Sequence, residues 1–403
     1  MKIALATPYY VSGFGIENRV TELIKHLPPN IDKKILCLRY SRPVPRGITV
    51  TQLPRPLHLL TSHRSVRFSA VARLIRNAYF KSILRDCDVI DAQYFPMTAL
   101  PRAKKNIITW HSVTFPEFAN NAKEAKIWNK EYQTILKNMR KADLVIPVSK
   151  WAEGEVKRFD NSIPTAIVPN GVDLNKLIFK PLDRREKTII SVGRFTPHKG
   201  HLEVISILKQ VIDELKDSKI KLILVGTNSN KDYFAGLEKY AKSIGIKGMS
   251  VVEAVQRTYD CDKASALDLI KESRNLNIPP PKSPISYLTD VPDIAMPSIY
   301  QMGDIFVSCS HWEGFGMPML EAQACGLPAL GYRMCSHPEV VANQNLLSEE
   351  NDTWSIAENI KKLLTDDDYY NKSALEARAF AEQFRWENVS KQYLSTIKKV
   401  VES

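Results

Sequence analysis

Short hydrophobic segments rich in β-branched residues alternate with amphipathic stretches along the chain. Such segments are typical of β-strands, and the stretches between them have the length and periodicity of helices. The predicted strands are Lys2–Thr7, Lys34–Leu38, Val89–Gln93, Asn106–Thr109, Leu144–Val148, Thr165–Val168, Thr188–Val192, Lys219–Val225, Asp304–Ser308 and Pro328–Gly331. Strands that alternate with helices form parallel sheets, so the pattern predicts an α/β fold.

Several of these strands are apolar on both faces, for example Thr188–Val192 and Leu222–Val225. Strands of this kind are covered by helices on each side, which favours doubly wound sheets. In such sheets ligands bind beyond the carboxyl ends of the strands. The residues that follow each predicted strand are therefore the first candidates for a functional site.

The length of 403 residues exceeds what one hydrophobic core usually organises, so two domains are expected. A polar, charged stretch at 180–187 separates two series of strands. We predict an N-terminal domain at 1–178, a C-terminal domain at 179–383 and a helix at 384–403 that crosses back to the N-terminal domain. Residues 246–284 are interpreted as an insertion, because loops that long are uncommon inside compact domains.

Positive charge is concentrated in the first half. Residues 1–172 hold 27 Lys and Arg against 13 Asp and Glu, whereas the remainder holds 29 against 31. The excess attracts polyanions such as an anionic membrane surface, a phosphorylated acceptor or nucleic acid.

No apolar run is long enough to span a membrane and no signal peptide is recognised. A cytoplasmic protein is therefore expected, and the inner face of the membrane is a candidate location. The six cysteines lack metal-ligand spacing, and no metal is expected.

A basic amphipathic stretch stands in the first half. Its candidate membrane-facing or acceptor-facing cations are Arg64, Arg67, Arg73 and Arg76. A helix of this composition can lie on an anionic membrane. The alternative is a domain helix with an ordinary solvated basic face.

The loops after two predicted strands can bind a diphosphate. The first strand leads into a loop with Gly15 that opens a helix, where backbone N–H groups can face an anion. Thr188–Val192 leads into a loop with Arg194 and Lys199. The guanidinium of an arginine can bind two phosphate oxygens at once, and the ammonium of a lysine supplies a compact charge. A solvated basic turn is the alternative for this pair.

The loop after Asp304–Ser308 is the richest in functional groups. It contains Glu313 and a Gly-Phe-Gly turn, followed by a helix predicted from about Pro318 to Cys325. Phosphates can rest on the start of this helix, at Gly316, Met317, Pro318, Met319 and Leu320. Glu321 stands eight positions after Glu313, so both carboxylates can face one ligand, and a carboxylate is the expected partner of ribose hydroxyls.

Taken together, these motifs resemble the retaining glycosyltransferases of family four, which have the GT-B fold of two Rossmann-like doubly wound domains facing a cleft. The resemblance covers nearly the whole chain and rests on Glu313–Pro328, Pro169–Asp173 and Val192–Gly200. The first string, Glu-Gly-Phe-Gly-x-Pro-x-x-Glu-Ala-x-Ala-Cys-Gly-x-Pro, is the most specific. The chain departs from the family pattern with Phe14-Gly15 in place of two glycines, and with Tyr287–Val291 in place of a Gly-x-Val turn.

The resemblance also implies roles for single residues. Arg194 and Lys199 would bind the donor diphosphate, Glu321 the ribose, and Glu313 the sugar hydroxyls. Gly15 matches the loop glycine that approaches the phosphate. His111, after Asn106–Thr109, matches a histidine beside the transferring sugar, and its alternative is a core histidine bonded to backbone.

The resemblance implies transfer of a hexose from a UDP- or GDP-sugar to an acceptor hydroxyl with retention, without a cofactor. The expected partners are the nucleotide-sugar donor and an acceptor glycan or lipid-linked sugar, with an anionic membrane surface as a further candidate. An epimerase of the same fold and a non-catalytic protein that binds nucleotide-sugars or membranes are the alternatives. Nucleic-acid binding ranks last, because no recognition helix or aromatic-interleaved basic motif is present.

Overall fold

The computed structural model describes residues 1–10, 15–41, 44–54, 70–94, 97–100, 103–112, 122–179, 187–227, 230–250, 284–289 and 291–403. These residues divide into two compact units. The first unit comprises Met1–Gly171 and Trp386–Ser403, and the second comprises Val172–Arg385. The linker predicted at 180–187 falls largely outside the described residues, as does most of the predicted insertion, of which 251–283 is not described.

The first unit is built on a sheet with six described strands. These are β1 (Lys2–Tyr10), β2 (Asp32–Tyr40), β3 (Thr49–Gln52), β4 (Val89–Ala92), β5 (Lys105–Trp110) and β6 (Leu144–Pro147). Every pair is parallel, in the order β3-β2-β1-β4-β5-β6. This is the strand order of a Rossmann fold, and the winding direction reverses between β1 and β4.

Helices cover both faces of this sheet. Those between the described strands are α1 (Gly15–His26), α2 (Ala70–Arg85) and α3 (Ala122–Met139), and α4 (Lys150–Phe159) follows β6. Successive residues of β1 enter different hydrophobic clusters, Ile3 and Leu5 one of them, and Ala4 and Ala6 the other. This period of two is what a strand buried on both faces requires.

The second unit contains a sheet of seven described strands. These are β7 (Thr188–Val192), β8 (Lys221–Gly226), β9 (Gly248–Ser250), β10 (Ile285–Thr289), β11 (Ile305–Ser308), β12 (Ala329–Tyr332) and β13 (Leu347–Ser348). Their order is β13-β12-β11-β7-β8-β10-β9, again with every pair parallel. The winding direction reverses between β7 and β11.

The described helices of the second unit are α5 (His201–Leu215), α6 (Lys231–Ser243), α7 (Met296–Met302), α8 (Met317–Ala324), α9 (His337–Val340), α10 (Thr353–Thr365) and α11 (Asp367–Glu382). Side-chain caps fix several helix starts, because an oxygen of the capping residue accepts from a first-turn amide. The caps of α6, α10 and α11 are Asn230, Asp352 and Asp366.

The final helix, α12 (Trp386–Glu402), follows the second unit in sequence but belongs to the first. It packs on α1. Trp386, Val389, Tyr393 and Ile397 join the same hydrophobic cluster as Ile3 and Leu5. The core of the first unit therefore contains both early and late segments of the chain.

The prediction of two Rossmann-like doubly wound domains is confirmed, with corrections in detail. Thr165–Val168 forms no strand, and Thr165 makes only an isolated bridge to Val145. Tyr287–Thr289 lies in β10 rather than in a turn. The strands β3, β9, β10 and β13 were not predicted. In the described part of the chain no helix has the length and hydrophobicity to cross a membrane.

The predicted basic surface of α2 also needs correction. Arg76 is buried, with 3% of its surface exposed, whereas Leu74 is 66% exposed. The guanidinium of Arg76 therefore cannot face a lipid surface or solvent. Arg64, Arg67 and the side chain of Arg73 lie outside the described residues.

Candidate active site

The predicted donor-binding residues follow β7 and β11, the two strands between which the second sheet reverses direction. These strands are neighbours, with Phe306 beside Ile190. Gly193 and Arg194 come directly after β7, and the loop from Cys309 to Gly316 comes directly after β11. Ligands of open α/β sheets bind in the crevice at such a reversal point.

Backbone contacts hold the two loops together. The His311 amide donates to the His198 carbonyl at 2.8 Å. Gly200 adopts a left-handed conformation with φ of 67°, and a Cβ atom there would lie 2.0 Å from the Cys309 carbonyl oxygen. Only glycine combines this conformation with so close an approach.

Lys199 and Glu313 meet across these loops. The distance from Lys199 Nζ to Glu313 Oε1 is 2.5 Å, and the side chains are 14% and 18% exposed. Burial favours the neutral form of Glu313, but the charge and hydrogen bond of Lys199, together with the nearby His337 and His198, outweigh it, so the pKa of Glu313 lies below its usual value. Arg194 is exposed, and within the described residues its side chain has no hydrogen-bond or ion-pair partner. Of the two cations predicted for the diphosphate, Arg194 is thus unpaired among the described residues and Lys199 is held by an ionised carboxylate.

The start of α8 offers fewer backbone donors than predicted. Gly316 caps the helix with φ of 87°. The amides of Met319 and Leu320 donate to the Gly316 carbonyl at 3.1 and 3.3 Å, and Pro318 has no N–H group. Met319, Leu320 and Pro318 are therefore wrong as amide donors to a phosphate. The amides of Gly316 and Met317 have no partner in the described part of the chain.

Glu321 is held by a second side chain. Tyr300 donates from its hydroxyl to Glu321 Oε2 at 2.7 Å. Burial raises the pKa of Glu321 to about 7, although the Tyr300 hydrogen bond opposes the shift. The other carboxylate oxygen, Oε1, has no partner among the described residues and can accept from a ligand hydroxyl.

Three residues beside this site were not singled out from the sequence. Tyr300 orients Glu321, as described above. Ser336 donates from Oγ to the Glu313 carbonyl at 3.0 Å. His337 is fully buried, lies 2.8 Å from the Tyr332 carbonyl through Nδ1, and has no hydrogen-bond partner at Nε2 within the described residues. The sequence gives no signal for them, since their proximity depends on how α7 and the loop after β12 pack.

The loop that carries Glu313 is also fixed by His311. This imidazole lies between two carboxylates, 3.0 Å from Glu203 Oε1 and 2.7 Å from Glu350 Oε1. The hydrogen bond to Glu203 is the largest influence on the pKa of His311; with Glu350 it outweighs burial and raises the pKa to about 9. His311 is therefore a cation at neutral pH.

This pair of bonds predicts a pH-dependent stability. The folded pKa of about 9 lies above the ordinary value of 6.5, so the contribution of His311 is complete below about pH 6.5 and is lost as pH rises through about 9. Denaturant unfolding between about pH 6 and about pH 10 should show this loss, and His311→Gln should lack it. An unchanged pH dependence in the variant would contradict the assignment.

His111 follows β5 in the first unit, as predicted. It is 6% exposed, and its Nε2 lies 3.1 Å from Gln93 Oε1. Burial, followed by the charge of Arg19, lowers the pKa of His111 well below its usual value. The imidazole is therefore neutral, and its partner is a side chain rather than the backbone expected for a core histidine.

Gly15 begins α1 without a packing reason to be glycine. Nothing in the described part of the chain lies within 4 Å of a Cβ built there, and its φ is not positive.

The described residues contain no group of three or more His, Cys, Asp or Glu placed to hold a metal ion.

Two family models match the chain in succession. Residues 15–176 match the model described as Glycosyltransferase Family 4. Residues 175–258 and 281–380 match the model described as Glycosyl transferases group 1.

Two curated relatives match short segments of the chain. An O-antigen chain mannosyltransferase B from Escherichia coli is 39% identical over 114 residues, which cover 28% of this chain and 30% of that protein. An N-acetyl-alpha-D-glucosaminyl L-malate synthase from Bacillus anthracis is 37% identical over 95 residues, which cover 23% of this chain and 25% of that protein. The alignment thus spans less than a third of either relative.

Solved structures match over the whole chain. HepE from Anabaena, in complex with UDP and glucose, has a TM-score of 0.71 and 17% identity, with 99% of both chains covered. WaaG, a glycosyltransferase involved in lipopolysaccharide biosynthesis, has a TM-score of 0.70 and 13% identity, with 98% of this chain and 99% of that chain covered. The structures agree in fold and the family models together cover both units, so the chain belongs to glycosyltransferase family 4, with a group 1 second half and the GT-B fold.

Proposed function

We propose that this protein is a retaining hexosyltransferase that moves a hexose from a UDP- or GDP-sugar to an acceptor hydroxyl. The observation that carries the proposal is the arrangement of Arg194, Lys199 and Glu313 at the reversal point of the second sheet. An exposed guanidinium and a lysine held by a carboxylate suit a diphosphate, which can take the place of the carboxylate on the lysine.

The reaction needs stabilisation of charge on the leaving diphosphate. Arg194, Lys199 and the amides of Gly316 and Met317 are assigned to that charge, because fixed donors act most strongly where charge develops. Glu321, oriented by Tyr300, is assigned to the ribose hydroxyls. Glu313, once Lys199 turns to the diphosphate, can accept from sugar hydroxyls.

No carboxylate is assigned as a covalent nucleophile. The proposed path is attack by the acceptor hydroxyl on the same face from which the diphosphate leaves, with the diphosphate assisting deprotonation. Neutral His111 is assigned to the transferring sugar and Gly15 to close approach of the donor phosphate. The acceptor is assigned to the first unit.

The choice of donor rests on names of relatives. The Escherichia coli relative is named as a mannosyltransferase, which supports a mannosyl donor. The HepE structure contains UDP and glucose, which supports a uridine nucleotide. Both the O-antigen name and the excess of positive charge in residues 1–172 support a glycan or lipid-linked acceptor at a membrane surface.

The test is a panel of UDP- and GDP-sugars incubated with the purified protein, with and without membrane lipid extract, while nucleoside diphosphate release is followed. Release that depends on the extract, with sugar recovered on the acceptor in the anomeric configuration of the donor, is the expected result. Conversion of donor without any acceptor would indicate an epimerase or a hydrolase instead. Binding by calorimetry with no turnover of any donor would favour the non-catalytic alternative.

A further inference from the structure

A buried polar network in the first unit connects His111 with Asp91. The intermediate residue is Gln93, and Thr109 and Tyr393 complete the network. None of the five is more than 6% exposed. Asp91 lies in β4 and Gln93 directly follows it, Thr109 lies in β5 and His111 directly follows it, and Tyr393 lies in α12. Three separate segments of the chain therefore supply one set of hydrogen bonds at the carboxyl end of the sheet.

The direction of each bond follows from Asp91. Its carboxylate lies 2.7 Å from Gln93 Nε2, 2.7 Å from the Tyr393 hydroxyl and 2.9 Å from Thr109 Oγ1. Burial raises the pKa of Asp91, while the hydrogen bonds from Tyr393 and Thr109 and the charge of Arg19 oppose the shift. We take Asp91 as ionised, and an ionised carboxylate only accepts, so all three neighbours donate to it. Three donors on one carboxylate compensate for its burial.

The orientation of the Gln93 amide determines which His111 nitrogen carries the proton. Because the amide nitrogen of Gln93 faces Asp91, its carbonyl oxygen faces His111 Nε2, at 3.1 Å. A carbonyl oxygen accepts only, so His111 must carry its proton on Nε2. The neutral ring then has a bare lone pair on Nδ1, which has no partner within the described residues.

We propose that Asp91 is a positioning residue that holds His111, through Gln93, in the tautomer whose Nδ1 accepts a hydrogen bond from a substrate hydroxyl. The part that concerns the substrate rests on the proposed function, whereas the tautomer is a property of the protein alone. A sugar hydroxyl can donate to a bare imidazole nitrogen but finds no lone pair on one that is protonated.

The decisive variant is Asp91→Leu, which has a similar size and removes the acceptor. Gln93 and Tyr393 both donate to Oδ2 of Asp91, so an asparagine oxygen at that position would still accept from both, whereas leucine accepts from neither. Thr109 Oγ1, 3.2 Å from Gln93 Nε2, can donate or accept, so without Asp91 either the carbonyl or the NH₂ group of Gln93 can face His111 Nε2. The expected result is a mixture of the two His111 tautomers.

Two-bond ¹H–¹⁵N correlation spectra of ¹⁵N-labelled protein without substrate report the tautomer directly. The chain has 8 histidines, and the His111 signals are assigned by their absence in His111→Gln. Wild type should show the Nε2–H tautomer alone, and Asp91→Leu should show both tautomers. A second variant, Gln93→Met, removes the acceptor itself and should give a mixture of the two tautomers.

Tyr393→Phe serves as the structural control. It removes one hydrogen bond to Asp91 and should lower the denaturation midpoint, but it leaves Asp91 on Gln93 and should leave the tautomer unchanged. A pure Nε2–H tautomer in both Asp91→Leu and Gln93→Met would overturn the proposal, as would an Nδ1–H tautomer in wild type.

Turnover separates positioning from stability. The kcat of Asp91→Leu should fall about 2- to 10-fold, the loss expected for one hydrogen bond that only part of the molecules can form, with unchanged binding of nucleoside diphosphate. Unchanged kcat despite a mixture of tautomers would overturn the substrate role of Nδ1. Absence of turnover in the wild type would refute the proposed function and leave the tautomer result standing.

Discussion

Lys199→Ala is expected to lower turnover of the nucleotide-sugar by about 10²- to 10³-fold, the usual effect of removing one fixed donor from developing charge. Binding of the nucleoside diphosphate should weaken as well. Lys199 Nζ is already fixed, 2.5 Å from Glu313, at the reversal point of the second sheet, so little reorganisation is needed to reach a diphosphate. Steady-state kinetics and calorimetry with UDP and GDP measure the two effects.

Loss of charge alone must be separated from loss of this contact. Lys209→Ala removes the same side chain from α5, where Lys209 pairs with Asp213 one turn later, and it should leave binding and turnover unchanged. Lys199→Ala leaves the Glu313 carboxylate without its partner, which should lower the stability of the protein. The double variant Lys199→Ala with Glu313→Gln has no unpaired carboxylate, so its stability should return towards that of the wild type while diphosphate binding stays weak. Wild-type affinity for both nucleotides in Lys199→Ala would exclude the diphosphate role.

Gly200→Ala is expected to destabilise the second unit by about 2–5 kcal/mol, the sum of a left-handed conformation and an overpacked contact. A methyl group at this position would lie 2.0 Å from the Cys309 carbonyl oxygen, and the φ angle is 67°. Relief of the clash would require the loops after β7 and β11 to separate. Guanidinium denaturation followed by circular dichroism measures the loss.

Gly236→Ala in α6 is the matched control. Nothing in the described residues lies within 4 Å of a Cβ there, and alanine in a helix interior should stabilise by about 0.5–1 kcal/mol. Equal midpoints for Gly200→Ala and wild type would show that the two loops are not held by this close approach.

Residues next to strand ends could be predicted from the sequence, because periodicity locates the strands and chemistry follows their carboxyl ends. Arg194 and Glu313 were predicted in this way, His111 was predicted through the family resemblance, and all three follow strands in the structure. Pairing across loops was not predictable. Lys199 and Glu313 are 114 positions apart, and nothing in their spacing shows that they meet.

The corrections have physical causes as well. The two residues of β13 carry too little periodicity to be recognised, and β3, Thr-Val-Thr-Gln, has only one apolar residue. Helix periodicity places arginines outward because burial of a charge is costly, and the burial of Arg76 depends on neighbours that the pattern does not encode. The Asp91–Tyr393 bond joins residues 302 positions apart and depends on the return of α12.

The return of α12 to the first unit separates the order of synthesis from the order of folding. A ribosome delivers Trp386, Val389, Tyr393 and Ile397 only after the whole second unit has emerged, yet these residues complete the core of the first. Multidomain chains usually fold from the N-terminus during synthesis. Here the second unit has all its residues before the first unit does. The apolar surface of the first unit beside α1 therefore stays uncovered until α12 has been synthesised.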